Sequence, residues 1–196
     1  MKKLLLSIIL LSSIANLQAQ SISHIETTKN WYYIYDQNGK KIKTLSTSQG
    51  ELKGYSSTFY IIKQGSAFYI TYDLNGKRLH TFGASGVGEI LAVSGDTFTS
   101  KQGAWIYTWS KEGKKIKTLS TSQGELKGYS STFYIIKQGT AFYITYDVNG
   151  KRLHTFGAGS VGEILGVAGD TFTSKNGAWI YTWSKEGKKI STRAAK

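Results

Sequence analysis

Apolar residues run along this chain in short stretches of five or six, each closed by a glycine turn. In the unit 87–123, Glu89-Ile-Leu-Ala-Val-Ser94 is an apolar run with small residues. A Gly95-Asp96 turn leads to Thr97-Phe-Thr-Ser-Lys101, Gln102-Gly103 to Trp105-Ile-Tyr-Thr-Trp109, and Ser110-Lys-Glu-Gly113 to Lys115-Ile-Lys-Thr-Leu119. No stretch is long enough for a helix, so the unit predicts a four-stranded meander. In Ala67–Asp73, Phe68, Ile70 and Tyr72 point one way while Ala67, Tyr69 and Thr71 point the other, and Phe59-Tyr60-Ile61-Ile62 is apolar on both sides. A sheet with one wet face would alternate more cleanly; these strands read as packed on both faces.

The turns follow from residue type. Asn38-Gly39, Asn75-Gly76 and Asn149-Gly150 are dipeptides that accept positive φ at both central positions of a tight hairpin. Asp36, Asp73 and Asp147 precede them as turn formers whose carboxylates bond the turn backbone. Glu112-Gly113 and Glu186-Gly187 place glycine where a longer hairpin needs a left-handed residue. Gly39, Gly76, Gly113, Gly150 and Gly187 are 37 residues apart, and residues 39–112 recur at 113–186 with seven changes. A period of this size means one supersecondary unit stacked several times.

Residues Gly88 to Leu119 resemble a blade of the NHL-type and related β-propellers. The shared order is an apolar inner strand, a turn with Asp or Gly, a second strand, an aromatic third strand, a glycine turn, and a basic outer strand with a Phe-Gly or Leu-Ser exit. Lys77-Arg-Leu-His-Thr-Phe-Gly83 is similar to that exit. The chain departs from the pattern where Trp or Phe replaces the third-strand Arg and where the inner strand lacks Pro. The resemblance implies an all-β propeller of about five four-stranded blades, at 20–49, 50–86, 87–123, 124–160 and 161–196, in one domain. The first blade is short, its inner strand having to come from Gln20 to Ile25. An open β-repeat array, or a ring completed by a second chain, is the alternative, and near-identical repeats favour oligomers through strand exchange.

Residues 1–19 carry the marks of an export signal: Lys2 and Lys3, an apolar Leu4–Leu11 broken by Ser7, and cleavage after Ala19. The apolar run is too short for a permanent membrane span. Cysteine is absent, so neither disulfides nor a lipid-modified Cys contribute, and the mature chain is expected in the periplasm or outside the cell. Proline is absent too, while 13 Tyr, 8 Phe and 5 Trp suit many short strands. The formal charge of +13, of which Lys2 and Lys3 account for two, raises the question of an anionic partner at the cell envelope, such as an acidic polymer.

Candidate chemistry is sparse. The histidines are His24, His80 and His154, the last two at one repeat position on a predicted outer strand, which gives a catalytic triad or a His-rich metal cluster little to build from. Glu51, Glu89, Glu125 and Glu163 each follow a Gly and open a predicted inner strand; in a closed ring they would converge at one channel mouth, where oxygen ligands suit a hard cation. The competing reading is a solvated strand start. Lys77-Arg78, Lys114-Lys115 and Lys151-Arg152, with Lys40-Lys41 and Lys188-Lys189, form a cationic pair after each outer turn. They read as edge protection or as a belt for a polyanion. Ser48 and Gln49 near Tyr55, and Ser122 and Gln123 near Tyr129, pair hydroxyls and amides with an aromatic face that a glycan pocket needs. Trp31, Trp105 and Trp179, like Trp109 and Trp183, are assigned to packing between blades. No cofactor is expected. The sequence points to an exported, non-enzymatic binding or scaffold protein with repeated equivalent sites, carbohydrate being the first ligand class. A propeller-type lyase or hydrolase using the four glutamates, and a structural module without ligand, are the alternatives.

Overall fold

The chain is described over residues 20–195 by a computed structural model, so the proposed export signal lies outside the described residues. Five antiparallel sheets follow one another in sequence. The first has three strands, β1 (Ile22–Thr27), β2 (Trp31–Asp36) and β3 (Lys41–Ser46). The second contains β4 (Glu51–Tyr55), β5 (Phe59–Gln64), β6 (Phe68–Asp73) and β7 (Arg78–Gly83). The third contains β8 (Glu89–Ser94), β9 (Thr97–Gln102), β10 (Trp105–Ser110) and β11 (Lys115–Ser120). The fourth is β12 (Glu125–Tyr129), β13 (Phe133–Gln138), β14 (Phe142–Asp147) and β15 (Arg152–Gly157). The fifth is β16 (Glu163–Ala168), β17 (Thr171–Asn176), β18 (Trp179–Ser184) and β19 (Lys189–Ala194). Each sheet packs face to face on the next, as propeller blades do, and the arc does not close on itself.

The core is therefore divided into four apolar seams, one between each pair of neighbouring sheets. Phe133, Ile135, Phe156, Val161, Phe172 and Trp183 fill the seam between the fourth and fifth sheets, and Phe59, Ile61, Phe82, Val87 and Phe98 fill the equivalent seam between the second and third. Burying each such side chain contributes roughly 1.5–3 kcal/mol. The other two seams are built from Tyr32, Ile34, Leu45, Tyr60 and Ile62, and from Ile106, Leu119, Tyr134 and Ile136. The 74-residue period is thus a pair of sheets with two kinds of seam. At the first kind the inner strands approach closely, because Gly54 and Gly128 leave room for Val93 and Val167; a Cβ on Gly54 would lie 2.7 Å from the Val93 methyl. One-turn helices, α1 (Ala84–Val87) and α2 (Ala158–Val161), drop buried valines into these same seams, although the sequence showed no helical period.

Two expectations need correction. Ile22–Thr27 is not an inner strand. Its pairing with β2 places Ile25 opposite Ile34 and Thr27 opposite Tyr32, matching the pairing of β9 with β10 74 residues later. The first sheet therefore begins at its second strand, because the turn between Thr28 and Trp31 is the counterpart of the one between Gln102 and Trp105. The Asn-Gly turns also take another form. Among the described residues none other than glycine has positive φ, and Gly39 (φ 75°) donates to the Asp36 carbonyl while the Asp36 N–H reaches Lys40. This is a type I turn with a glycine bulge, in which the Asp36 carboxylate accepts from the N–H groups of Asn38 and Lys40, both at 2.9 Å. Asp73 does the same with Asn75 and Lys77, and Asp147 accepts from Lys151. The extra residue shifts the register of each outer pair.

Polar bonds hold the sheets in step. Thr71 Oγ1 donates to the Lys111 carbonyl at 2.6 Å, and Thr145 Oγ1 to that of Lys185 at 2.7 Å. The Asp96 carboxylate receives Thr58 Oγ1 from the preceding sheet and Lys111 Nζ from its own, both at 2.7 Å. The Lys111 and Thr58 hydrogen bonds hold Asp96 below the ordinary carboxylate value, and Lys185 with Thr132 does the same for Asp170. A folded-state pKa below the unfolded one stabilises fully above about pH 4, and that contribution disappears as pH falls through the folded value. Thermal melts between about pH 2 and 6 are accordingly expected to show the wild-type advantage over an Asp96→Asn/Asp170→Asn double variant shrinking towards acid. An advantage independent of pH would show that these carboxylates do not act through their charge.

Candidate functional site

Register brings the chemically varied residues to one end of the sheets. In the second sheet Glu51 pairs with Lys63, Lys63 with Tyr69 and Tyr69 with Phe82, while Gln64, Phe68 and Gly83 form the next row outward. The third to fifth sheets repeat the Glu–Lys register with Glu89 and Lys101, Glu125 and Lys137, and Glu163 and Lys175. The linkers between sheets lie at this same end, because each outer strand exits there and the next inner strand begins there. Ser48–Gln49 and Ser122–Gln123 belong to the single-turn 3-10 helices Thr47–Gln49 and Thr121–Gln123, closed by a bond between Ser46 and Ser48 or between Ser120 and Ser122.

Two equivalent clefts open here, of about 470 and 440 Å³. One is lined by Lys53, Lys63, Tyr69, Ser85 and Glu89, the other by Lys127, Lys137, Tyr143, Gly159 and Glu163. Lys63 lies over the Tyr69 ring at 5.8 Å and Lys137 over Tyr143 at 5.7 Å. Glu51 and Glu125 are each tied to a neighbouring lysine, Lys53 at 2.7 Å and Lys127 at 2.6 Å. A third cleft, of about 540 Å³, separates the third and fourth sheets, with Leu91, Ile106 and Leu126 on its walls and Lys101, Glu125 and Lys137 at its rim. Its counterpart between the first and second sheets is occupied by Tyr32, whose hydroxyl donates to the Gly50 carbonyl at 2.9 Å and accepts from Leu52 N–H at 3.1 Å.

Along the rim stands one exposed aromatic ring per sheet: Trp31, Phe68, Trp105, Phe142 and Trp179, all 45–50 % exposed and 37 residues apart. The assignment of Trp31, Trp105 and Trp179 to packing between blades is therefore overturned. Trp105 and Trp179 open the third strand of their sheets after a Gly-Ala turn, and Trp31 opens the equivalent strand β2 after Lys29-Asn30; no neighbouring sheet covers them. Trp109 and Trp183 do fill seams, against Phe82 and Phe98 and against Phe156 and Phe172, with their indole N–H groups on Ser100 and Ser174. Spacing alone marked the exposed row; its exposure depended on which end of the sheet lies uncovered.

The other candidates scatter. Tyr55 and Tyr129 end their inner strands, so they are not beside Gln49 and Gln123: six extended residues place them roughly 15–20 Å away. Tyr129 is buried in a seam with its hydroxyl 2.5 Å from Thr97 Oγ1, and burial raises its pKa. Tyr55 is half-buried against the seam between the first and second sheets. Glu51, Glu89, Glu125 and Glu163 do open the inner strands, but among the described residues no three His, Cys, Asp or Glu side chains come together to hold a metal. Lys77, Arg78, Lys114, Lys115, Lys151 and Arg152 lie at the opposite end, at the start of the outermost strands, exposed. Lys115 is folded over Tyr107 at 4.4 Å and Trp109 at 5.0 Å, and Arg152 bonds to Thr155. His80 and His154 rest edge-on against Phe82 and Phe156, their rings beside Gly113 and Gly187 of the next sheet.

No family model matches the chain, and no curated protein does. Solved structures do. Hsv2p of Kluyveromyces lactis aligns with a TM-score of 0.58 at 13% identity, over 86% of this chain and 58% of that one. KlHsv2 with loop 6CD replaced by a Gly-Ser linker aligns with a TM-score of 0.60 at 12% identity, over 86% and 61%. BamB of Moraxella catarrhalis aligns at 0.41 and 14% identity, over 88% and 58%. The Hsv2 likeness shows the propeller fold. This chain spans about three-fifths of the length of the structures it matches. The resemblance to the NHL type rests on the sequence pattern alone.

Proposed function

We propose that this chain is a non-enzymatic binding protein of the periplasm or cell exterior that engages its ligand through equivalent sites repeated along the arc. Carbohydrate is the ligand class. The observation that carries this reading is the row of five exposed aromatic rings, spaced by the repeat and flanked by lysines, hydroxyls and amides. One such ring left in water proves nothing by itself; the same position left exposed on every sheet, at the same rim, supports an interaction surface with repeated sites. Aromatic faces stack on the apolar faces of sugar rings, and the neighbouring Ser48, Gln49, Ser122 and Gln123 supply hydrogen-bonding groups. Repetition makes each contact intramolecular after the first, so weak sites add up on a polymer. Catalysis would need a converging acid–base set, and Glu51 and Glu125 are instead each engaged with a lysine.

A glycan array run at low and high salt tests the proposal. Retention of a neutral glycan that survives high salt is expected from stacking. Binding confined to acidic glycans and lost in high salt would move the interaction to the cationic pairs at the far end, Lys77-Arg78 and their equivalents. A blank array would end the carbohydrate reading.

A further inference from the structure

Four of the five sheets flank their second strand on both sides; the first does not. Among the described residues β1 pairs with β2 alone, and no strand lies along its other edge. The Thr28 N–H donates to the Trp31 carbonyl at 2.9 Å, so Thr28 directs its backbone towards β2. Alternation along the strand then turns the N–H and C=O groups of Ile25 and Thr27 to the open edge. Their counterparts in the third sheet, Thr99 and Lys101, pair with Ala92 and Glu89 of β8. In the fifth sheet, Thr173 and Lys175 pair with Gly166 and Glu163 of β16.

We infer that this edge is a strand-accepting site, taking an extended segment of inner-strand type from another chain built of the same repeat. The occupant is specified by the ladder it completes. The first sheet corresponds to the third and fifth at offsets of 74 and 148 residues, and their inner strands, Glu89–Ser94 and Glu163–Ala168, differ only at Ala92/Gly166 and Ser94/Ala168. The position opposite Ile25 therefore takes a small residue. At the equivalent seam between the third and fourth sheets Leu91 and Leu126 stand on opposite walls of a cleft; between the first and second sheets Tyr32 fills that space, and the docked strand lies along the free edge of β1 beside it. One side chain differs in a telling way. Thr27 replaces the lysine found in the other four sheets, so the docked strand gains no Glu–Lys pair and is held by backbone bonds and apolar contact. This site is independent of the aromatic row and of any glycan.

The probe is a fluorescent peptide of residues 87–95, titrated into the purified protein and followed by anisotropy. Saturable one-to-one binding that is insensitive to salt is expected. N-methylation at Glu89, whose backbone faces β9 in the third sheet, is expected to abolish binding, whereas N-methylation at Ile90, facing away, leaves it within about threefold. Ile25→Pro removes an N–H that β2 does not use and is expected to weaken binding by about tenfold or more. The peptide variants keep the test valid if that protein variant misfolds. Absence of saturable binding, equal binding of the two methylated peptides, or loss of binding in high salt would overturn the inference.

Discussion

Phe133→Ala is expected to lower stability by about 3–5 kcal/mol, the cost of emptying a wholly buried aromatic site. Phe133 lies between the fourth and fifth sheets with Ile135, Phe156, Val161 and Phe172 around it. In a linear array each sheet is held only by its neighbours, so a weakened seam isolates what lies beyond it. The fifth sheet is expected to lose hydrogen-exchange protection first, with β17 and β18 exchanging before β5 and β6. Denaturant unfolding should split into two transitions or shift to a lower midpoint. The equivalent Phe59→Ala is expected to cost a similar amount but to detach the array elsewhere, leaving the fourth and fifth sheets protected. A uniform loss of protection in both variants would show that the arc unfolds as one unit.

Replacing Trp31, Trp105 and Trp179 together by alanine is expected to leave the fold intact and to weaken glycan retention on the order of a hundredfold. Stacking contributes roughly 1 kcal/mol per aromatic ring, and three rings lost together make about two decades in affinity. The rings are half exposed, so stability is expected to change by less than about 1 kcal/mol. Affinity chromatography or calorimetry on the glycan that the array identifies, alongside thermal melts, checks both halves. The double variant Phe68→Ala/Phe142→Ala is expected to give a smaller loss of the same kind. Unchanged retention in the triple variant would remove the aromatic row from the site.

The two outcomes differ because identical residue types occupy different places in the repeat, and sequence alone separates them unevenly. Trp105 and Trp109 lie four residues apart on one strand; one is at the bare rim and the other in a seam against Phe82 and Phe98. Both are aromatic residues in an aromatic strand, and no local pattern distinguishes them. Tyr129 illustrates the converse. Its neighbourhood in the chain suggested a stacking face beside Ser122 and Gln123, but the strand carries it to the other end and buries it.

What the sequence determined by itself was whatever depends on period and on local backbone chemistry. Short strands apolar on both faces, glycine turns at 37-residue intervals and aspartates bonding those turns led directly to stacked four-stranded sheets, and the sheets are there. Even the form of the turn needed the structure, since Asn-Gly suits two hairpin geometries and the bulge was decided by the register of the outer strands. Only the tertiary arrangement decided that the arc stays open, that Ile22–Thr27 is a second strand whose outer edge has no partner among the described residues, and that five aromatic rings share one exposed rim. Those are properties of how sheets stack and which ends they leave uncovered. Stacking depends on long-range fit, such as Val93 against Gly54 or Val161 dropped into its seam, which residues adjacent in the chain do not record.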